Sequence, residues 1–290
     1  MQTAKDLTVP APPRSHAELD AEFVDAVVRV LRARTGCDFS AYRRATVERR
    51  IANRMLAIGI HSRSRYLAQL EFSRQEPHRL LERLTIKVSR FYRHGLAFDH
   101  LRAHVLPELA RARGPQPLNL WSVGCGGGEE PYTLAMLLEE AAIGGIIEAS
   151  DVDPAVLDEA SWATYAIHST AELPPELCRR FLEPLAVNGH PRYRVSRELR
   201  ARVRFSHFDV TAEAPPPPGG PFDLVSCRNV LIYLERPAQV AALRRLIDAL
   251  ADGGVLCLGE AEWPPAEVVH QLEPLPHRTR LFRLRPRGLS

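Results

Sequence analysis

Along the first third of the chain the apolar positions recur at helical spacing. "AELDAEFVDAVVRVLRAR" places Phe23, Val27, Val30 and Leu31 on one stripe, as an amphipathic helix requires. "SAYRRATVERRIANRMLAIG" predicts a second helix from a Ser40 N-cap to Gly59, and "SRSRYLAQL" and "EPHRLLERL" predict two shorter ones. No strand pattern interrupts them, so residues 16–88 are expected to form an all-helical domain behind a Pro-rich, disordered tail, 1–15. Residues 89–96 read as a linker to a second domain, 97–290.

The rhythm changes near Leu118. "LNLWSVGC" reads as a strand, "EPYTLAMLLEEAA" as a helix, "GGIIEASDVD" as a strand and "AVLDEASWATYA" as a helix. Strands "RVRFSHFDV" and "FDLVSCRNV" follow. After them come helix "RPAQVAALRRLIDALADGG" with a glycine C-cap, strand "VLCLGEAEW" and the alternating edge strand "TRLFRLRPR". Alternating strands and helices predict an α/β fold with a doubly wound, Rossmann-like parallel sheet. Its ligand belongs outside the carboxyl ends of the strands. Residues 166–201 break the alternation, with helical "STAELPPELCRRFL" and β-like "HPRYRVSREL", and read as an inserted small β-subdomain. "APPPPGGP" is read as a surface loop.

Composition narrows the class. The 290 residues are 45% hydrophobic and 25% charged, with net charge +3, so the chain as a whole is not built to bind a polyanion. The five cysteines form no C-x-x-C and are expected to be reduced thiols of a cytoplasmic protein. The N-terminus has no apolar signal region, and "LAMLLEEAAIGGII" carries Glu139 and Glu140, so no membrane insertion is expected.

The candidate chemistry centres on "WSVGCGGGEEPYTLAM". Gly124, Gly126 and Gly128 allow close backbone approach to a nucleotide. A phosphate would sit at the start of the following helix, where Glu129 and Glu130 would repel it. The helix dipole accounts for Glu130. For Glu129 the dipole and a preference for a cationic ligand both stand, and S-adenosylmethionine, a nucleoside with a sulfonium and an ammonium, meets the second. Asp151 follows the next strand where an acid takes ribose hydroxyls, whereas Asp153 reads as a helix cap before Pro154. Asp209 either accepts from an adenine amino group or caps a turn. Asn229 points into the same crevice, and Val230 and Leu231 read equally as core.

These residues carry a resemblance. "LTIKVSRFYR", "WSVGCGGGEEPYTLAM", "ASDVD" and "FDLVSCRNVLIYL" resemble the CheR family of chemotaxis receptor glutamate O-methyltransferases, over nearly the whole chain. The resemblance implies methyl transfer from S-adenosylmethionine to glutamate carboxylates on the cytoplasmic helical domain of a chemoreceptor, leaving S-adenosylhomocysteine. It implies that Glu129 and Asp151 hold the methionyl end and the ribose. Asp209 and Val210 then lie around the adenine, and Asn229 and Val230 make a further cofactor contact. The family's linker pattern T-x-N-x-T-x-F-F-R corresponds here to Thr85 through Arg93, with Ser89 keeping a hydroxyl and Arg93 retained. Lys87 stands where the family has Asn, and Asp209 where Asn is common. Arg93 is assigned to orienting a carboxylate, that of the acceptor or of the cofactor. Tyr233 is assigned to the acceptor pocket, with a core aromatic as the competing reading.

Arg43, Arg50 and Arg54 fall on one stripe of the second helix, about 40° wide at 3.6 residues per turn. They read either as a solvated flank or as the surface that docks an acidic receptor helix. His100 and His104 in "HLRAH" lack the Glu of a zinc helix, and no metal is expected. With only Gly189 in its turn, the β-insert is expected to hold no receptor tether. Three rivals remain. A nucleic-acid methyltransferase is disfavoured by the absence of N-P-P-Y or D-P-P-Y and of aromatics interleaved with the arginines. The others are a non-catalytic or altered-substrate cofactor-binding signalling protein and a small-molecule carboxyl methyltransferase.

Overall fold

A computed structural model describes residues 19–85 and 89–286. The proposed tail 1–15 and Lys87 lie outside the described residues. Two compact units are present, residues up to Ser40 with Arg44–Leu84, and Ala41–Arg43 with Thr85 onward.

The first unit holds four helices, α1 (Ala21–Thr35), α2 (Arg44–Ala57), α3 (Arg63–Phe72) and α4 (Glu76–Leu84). Asp20 caps α1, its Oδ1 accepting from the Phe23 N–H at 2.7 Å, and Gly36 closes it with φ 78°. The predicted stripe of α1 is buried at Phe23, Val27 and Leu31, as are Ile51, Tyr66, Leu70 and Leu80 on the other three helices, and the Phe23 and Tyr66 rings meet at 6.5 Å. α2 begins at Arg44, four residues after the Ser40 cap that the sequence predicts.

The second unit starts with α5 (Leu96–His100), which runs through a π-turn (Leu101–Val105) into α6 (Leu106–Arg113). Next come β1 (Leu118–Val123), α7 (Glu129–Glu140), β2 (Gly145–Asp151) and α8 (Pro154–Trp162). The segment β3 (Thr164–Ala166), α9 (Pro175–Phe181), β4 (Leu182–Val187), β5 (His190–Val195) and α10 (Arg197–Arg200) forms a separate antiparallel sheet of order β3-β5-β4. The chain returns through β6 (Val203–His207), β7 (Phe222–Cys227), α11 (Arg236–Asp248) and β8 (Leu250–Leu258). It ends in α12 (Ala266–Val269), β9 (Leu272–Pro274) and β10 (Leu281–Leu284). The main sheet has the order β6-β2-β1-β7-β8-β10-β9, with β10 antiparallel to both neighbours and β6, β2, β1, β7 and β8 parallel.

Three expectations need correction. "TRLFRLRPR" is not the edge strand, because the short β9 pairs outside it. The glycines of "ADGG" do not cap α11 but lie within β8. α8 stops at Trp162, where Ala163 turns left-handed with φ 53°, and the residues after it join the small sheet. The order of the parallel strands reverses between β1 and β7, and the crevice beyond their carboxyl ends is where such sheets bind ligands.

Candidate active site

The loop after β1 turns tightly because its glycines allow it. Gly124, Gly126 and Gly128 have φ of 66°, 53° and 91°. A Cβ on Gly124 would lie 2.4 Å from Val230 Cγ2, so the loops after β1 and β7 touch where only hydrogen fits. A Cβ on Gly126 would meet nothing, leaving its backbone open to a ligand. The Gly126 N–H donates to Asp151 Oδ2 at 2.9 Å, and Asp151 Oδ1 accepts from the Asp153 N–H at 3.0 Å. The carboxylate at the end of β2 therefore braces the glycine turn. Asp153 caps α8, as its position predicts, accepting from the Ala155 N–H.

Glu129 opens α7 with its side chain buried. The Ser89 hydroxyl hydrogen-bonds its carboxylate, yet Oε2 is buried without a hydrogen-bond partner. Burial pushes the Glu129 carboxyl above its ordinary pKa, and burial does the same to Asp151, partly offset by the backbone N–H groups it accepts from. A buried carboxylate oxygen with nothing to accept from is costly in isolation and suits a cationic or N–H-bearing ligand.

Next to this turn is a pocket of about 480 Å³, solvent at its mouth included, lined by Ser89, Arg93, Gly124, Gly126, Arg228 and Asn229 among others. Asn229 is left-handed, φ 61°, and its N–H donates to Glu262 Oε2 at 2.9 Å. Arg228 is buried, with its guanidinium 4.7 Å from the Phe98 ring centroid. It donates to the Arg93 carbonyl at 2.7 Å and to Glu130 Oε2 at 3.4 Å. Glu130 also accepts from the Ser122 hydroxyl at 2.8 Å. The helix dipole alone is thus too plain a reading of Glu130, which anchors a buried arginine at the pocket wall.

Among the sequence candidates, Ser89, Arg93, Gly124, Gly126 and Asn229 come together in this pocket, with Val230 packed on Gly124. Glu129 and Asp151 flank the glycine turn. Asp209 lies beyond β6 and caps a turn, accepting from the Thr211 N–H at 2.8 Å and hydroxyl at 2.6 Å, and Val210 is buried. Tyr233 ends the short turn after Asn229, its carbonyl accepting from the Arg43 N–H at 2.7 Å.

The three arginines proposed for docking do not form a solvent-facing row. Arg43 precedes α2, and its Nε donates to the Leu234 carbonyl. Arg50 donates to the Arg83 and Leu84 carbonyls at the end of α4. Arg54 makes a bidentate pair with buried Glu76 at 2.8 and 2.6 Å. Equal angular spacing on a helical wheel does not reveal that Glu76 waits on the neighbouring helix. Rings of His100, His104 and His277 cluster at 4.9 and 5.4 Å, but no metal-binding group of three ligands occurs among the described residues.

Sequence reasoning passed over Arg228 and Glu262. The signal for Arg228 was an ionic residue directly after the apolar run "FDLVSC". Glu262 gave none, since its partners are backbone groups brought to it by the fold.

The donor set fits S-adenosylmethionine: a glycine turn with open backbone at Gly126, a carboxylate where ribose hydroxyls would come, and an orphaned buried carboxylate oxygen for the cationic methionyl end. Comparison with known proteins agrees. The family model "CheR methyltransferase, SAM binding domain" matches residues 87–279, and "CheR methyltransferase, all-alpha domain" matches residues 23–85. A chemotaxis protein methyltransferase of Klebsiella aerogenes is 33% identical over 252 residues, 84% of this chain and 83% of that protein. Two longer relatives are spanned only in part. An uncharacterized 104.1 kDa protein of Rhodobacter capsulatus is 34% identical over 83% of this chain and 25% of its own length. A probable biofilm formation methyltransferase, WspC, of Pseudomonas aeruginosa is 29% identical over 82% of this chain and 56% of its own length. With two family models covering most of its length and a glycine turn and acidic brace suited to their cofactor, the chain belongs to the CheR methyltransferase family of S-adenosylmethionine-dependent enzymes.

Proposed function

We propose that the enzyme methylates glutamate side-chain carboxylates on the helical cytoplasmic part of a chemoreceptor, forming glutamate methyl esters in sensory adaptation. The observation that carries the proposal is the pairing of opposite charges around one pocket. Glu129, with its unpartnered Oε2, stands at the glycine turn, while Arg93 and the buried Arg228 line the adjoining wall. One side suits a cation and the other an anion, as a sulfonium donor and a carboxylate acceptor require. The name of the Klebsiella relative supports the chemotaxis setting.

Bound there, S-adenosylmethionine supplies an electrophilic methyl on a positively charged sulfur. A glutamate with pKa about 4.3 is already ionised at neutral pH, so the residues need supply no general base. Their work is to bind, orient and exclude water. Positioning of this kind contributes on the order of 7–11 kcal/mol to a bimolecular reaction. Arg93 is assigned to gripping a carboxylate with its planar fork. Glu129, Asp151, Asn229 and Val230, with the backbone of Gly124 and Gly126, are assigned to the cofactor. Ser89 reaches that set through Glu129, and the resemblance assigns Lys87 to the cofactor as well. Asp209 and Val210 belong with the adenine and Tyr233 with the acceptor pocket.

The test is transfer of labelled methyl from S-adenosylmethionine to an acidic chemoreceptor helix. Base-labile label released as methanol is expected, with strong loss in Arg93→Ala. Cofactor binding without transfer to any carboxylate would instead favour a non-catalytic signalling role.

A further inference from the structure

A second pocket, about 280 Å³ with its open mouth, shares one wall with the first. His94, Arg228, Glu260, Arg278 and Arg280 line it, with exposed Leu96 among its other lining residues. Arg278, Arg280 and an imidazole thus share the pocket with a single carboxylate, which is already engaged, while Arg228 on the common wall is paired with Glu130. Glu260 Oε2 lies 3.0 Å from His94 Nδ1. Arg280 is held in place, its Nε donating to the Glu260 carbonyl at 2.8 Å and its guanidinium resting over the Trp263 ring at 5.1 Å. Arg228, the shared wall, has a side chain only 4% exposed and a buried Nε without a hydrogen-bond partner.

The backbone gives an independent sign. Nine non-glycine residues among those described have positive φ, and three of them line this pocket: His94 at 57°, Arg278 at 54° and Arg280 at 59°. Arginine gains nothing locally from a left-handed backbone, unlike Asn, Asp or His, so the strain at Arg278 and Arg280 is unfavourable unless the surroundings or a ligand hold it. Strain gathered on Arg278 and Arg280 in one concavity marks a place shaped for binding.

Resting on the methyl-transfer reading above, we infer that this pocket is a subsite for a second carboxylate of the substrate, an acidic side chain carried near the glutamate that is methylated. Charge complementarity selects the occupant, since planar guanidinium groups match carboxylate geometry. The shared Arg228 wall keeps the second anion close to the first pocket, so acidic neighbours would mark a glutamate for modification while the chemistry stays where Arg93 is.

The experiment uses the full chain and two helical peptides, one with paired glutamates and one with a single glutamate among glutamines. In Arg278→Ala and Arg280→Ala, KM for the paired peptide is expected to rise about tenfold, with kcat and the affinity for S-adenosylhomocysteine unchanged. KM for the single-glutamate peptide should not move, and Arg278→Lys should recover part of the loss. Equal changes for both peptides, or weakened S-adenosylhomocysteine binding, overturn the subsite. Competition by millimolar inorganic phosphate against the paired peptide alone overturns the carboxylate assignment. Should neither peptide be methylated, calorimetric binding of the paired peptide, lost in Arg278→Ala, upholds the subsite while the methyl-transfer reading falls; no binding removes both.

Discussion

Glu262 is the residue on which the geometry of the β7 turn most directly depends. Its carboxylate is 4% exposed and accepts three backbone N–H groups, from Gly259 at 2.6 Å, Asn229 at 2.9 Å and Ile232 at 3.2 Å. It thereby ties the loops after β8 and β7 together and fixes the left-handed Asn229 at the pocket wall. In Glu262→Gln the carbonyl oxygen can keep the position that serves Gly259 and Asn229, but the amide NH2 then faces the Ile232 N–H. One buried donor is left unsatisfied, a cost of about 1–3 kcal/mol. Glu262→Ala removes all three bonds, each worth roughly 1.5–3 kcal/mol when the acceptor is charged, partly offset by releasing a buried charge. A loss of about 3–5 kcal/mol in urea unfolding is expected. The functional readout is calorimetric affinity for S-adenosylhomocysteine measured on the folded fraction. A loose Asn229 should weaken it at least tenfold in Glu262→Ala and less in Glu262→Gln. Reduced stability in both variants with unaltered cofactor affinity would refute the idea that this brace shapes the site.

Other outcomes follow from the same geometry. Glu129→Gln should bind S-adenosylmethionine roughly 10–100-fold more weakly, since one charge-assisted contact to a buried acceptor is worth about 1.5–3 kcal/mol; unchanged calorimetric affinity counts against Glu129 as a ligand. The same variant gives a pH test. Folding raises the Glu129 carboxyl from 4.5, so the native state holds its proton more tightly and stability attached to that group is lost as pH climbs through the raised value. Denaturation curves of wild type and Glu129→Gln should therefore diverge in favour of the variant as pH rises from 4 to 7, other things equal. Arg54→Ala strands the buried Glu76 carboxylate beside Tyr66, whose hydroxyl reaches it at 3.3 Å, and should cost the helical unit about 3–5 kcal/mol by scanning calorimetry. Gly124→Ala should abolish cofactor binding because its Cβ meets Val230 Cγ2 at 2.4 Å, with partial recovery in the double variant with Val230→Ala.

Much of this was legible one residue at a time. The strands β1, β2 and β7 announce themselves by their apolar runs and β6 by its alternation, and the glycine turn with its two glutamates states its own chemistry. Misreadings arose where the deciding neighbour is remote in sequence. "ADGG" looks like a helix end, yet a Cβ on Gly254 would lie 3.0 Å from the Phe222 carbonyl, so that glycine serves the close approach of β7 and β8. Ala163 ends α8 in a conformation that alanine does not advertise. For Arg43, Arg50 and Arg54, which share an angle on the wheel, the sequence left two readings open, and only the fold shows the separate hydrogen-bond partner of each.

What the sequence determined by itself was local: hydrophobic period, caps, the glycine turn, and a family signature strong enough to name the cofactor. What only the tertiary structure decided was which charges meet. Glu129's orphaned oxygen, the Arg228 wall between two pockets and the Glu262 brace each depend on chain segments 30 to 135 residues apart. Their energies come from desolvation and short-range contact, and neither exists until the sheet has brought its carboxyl ends together.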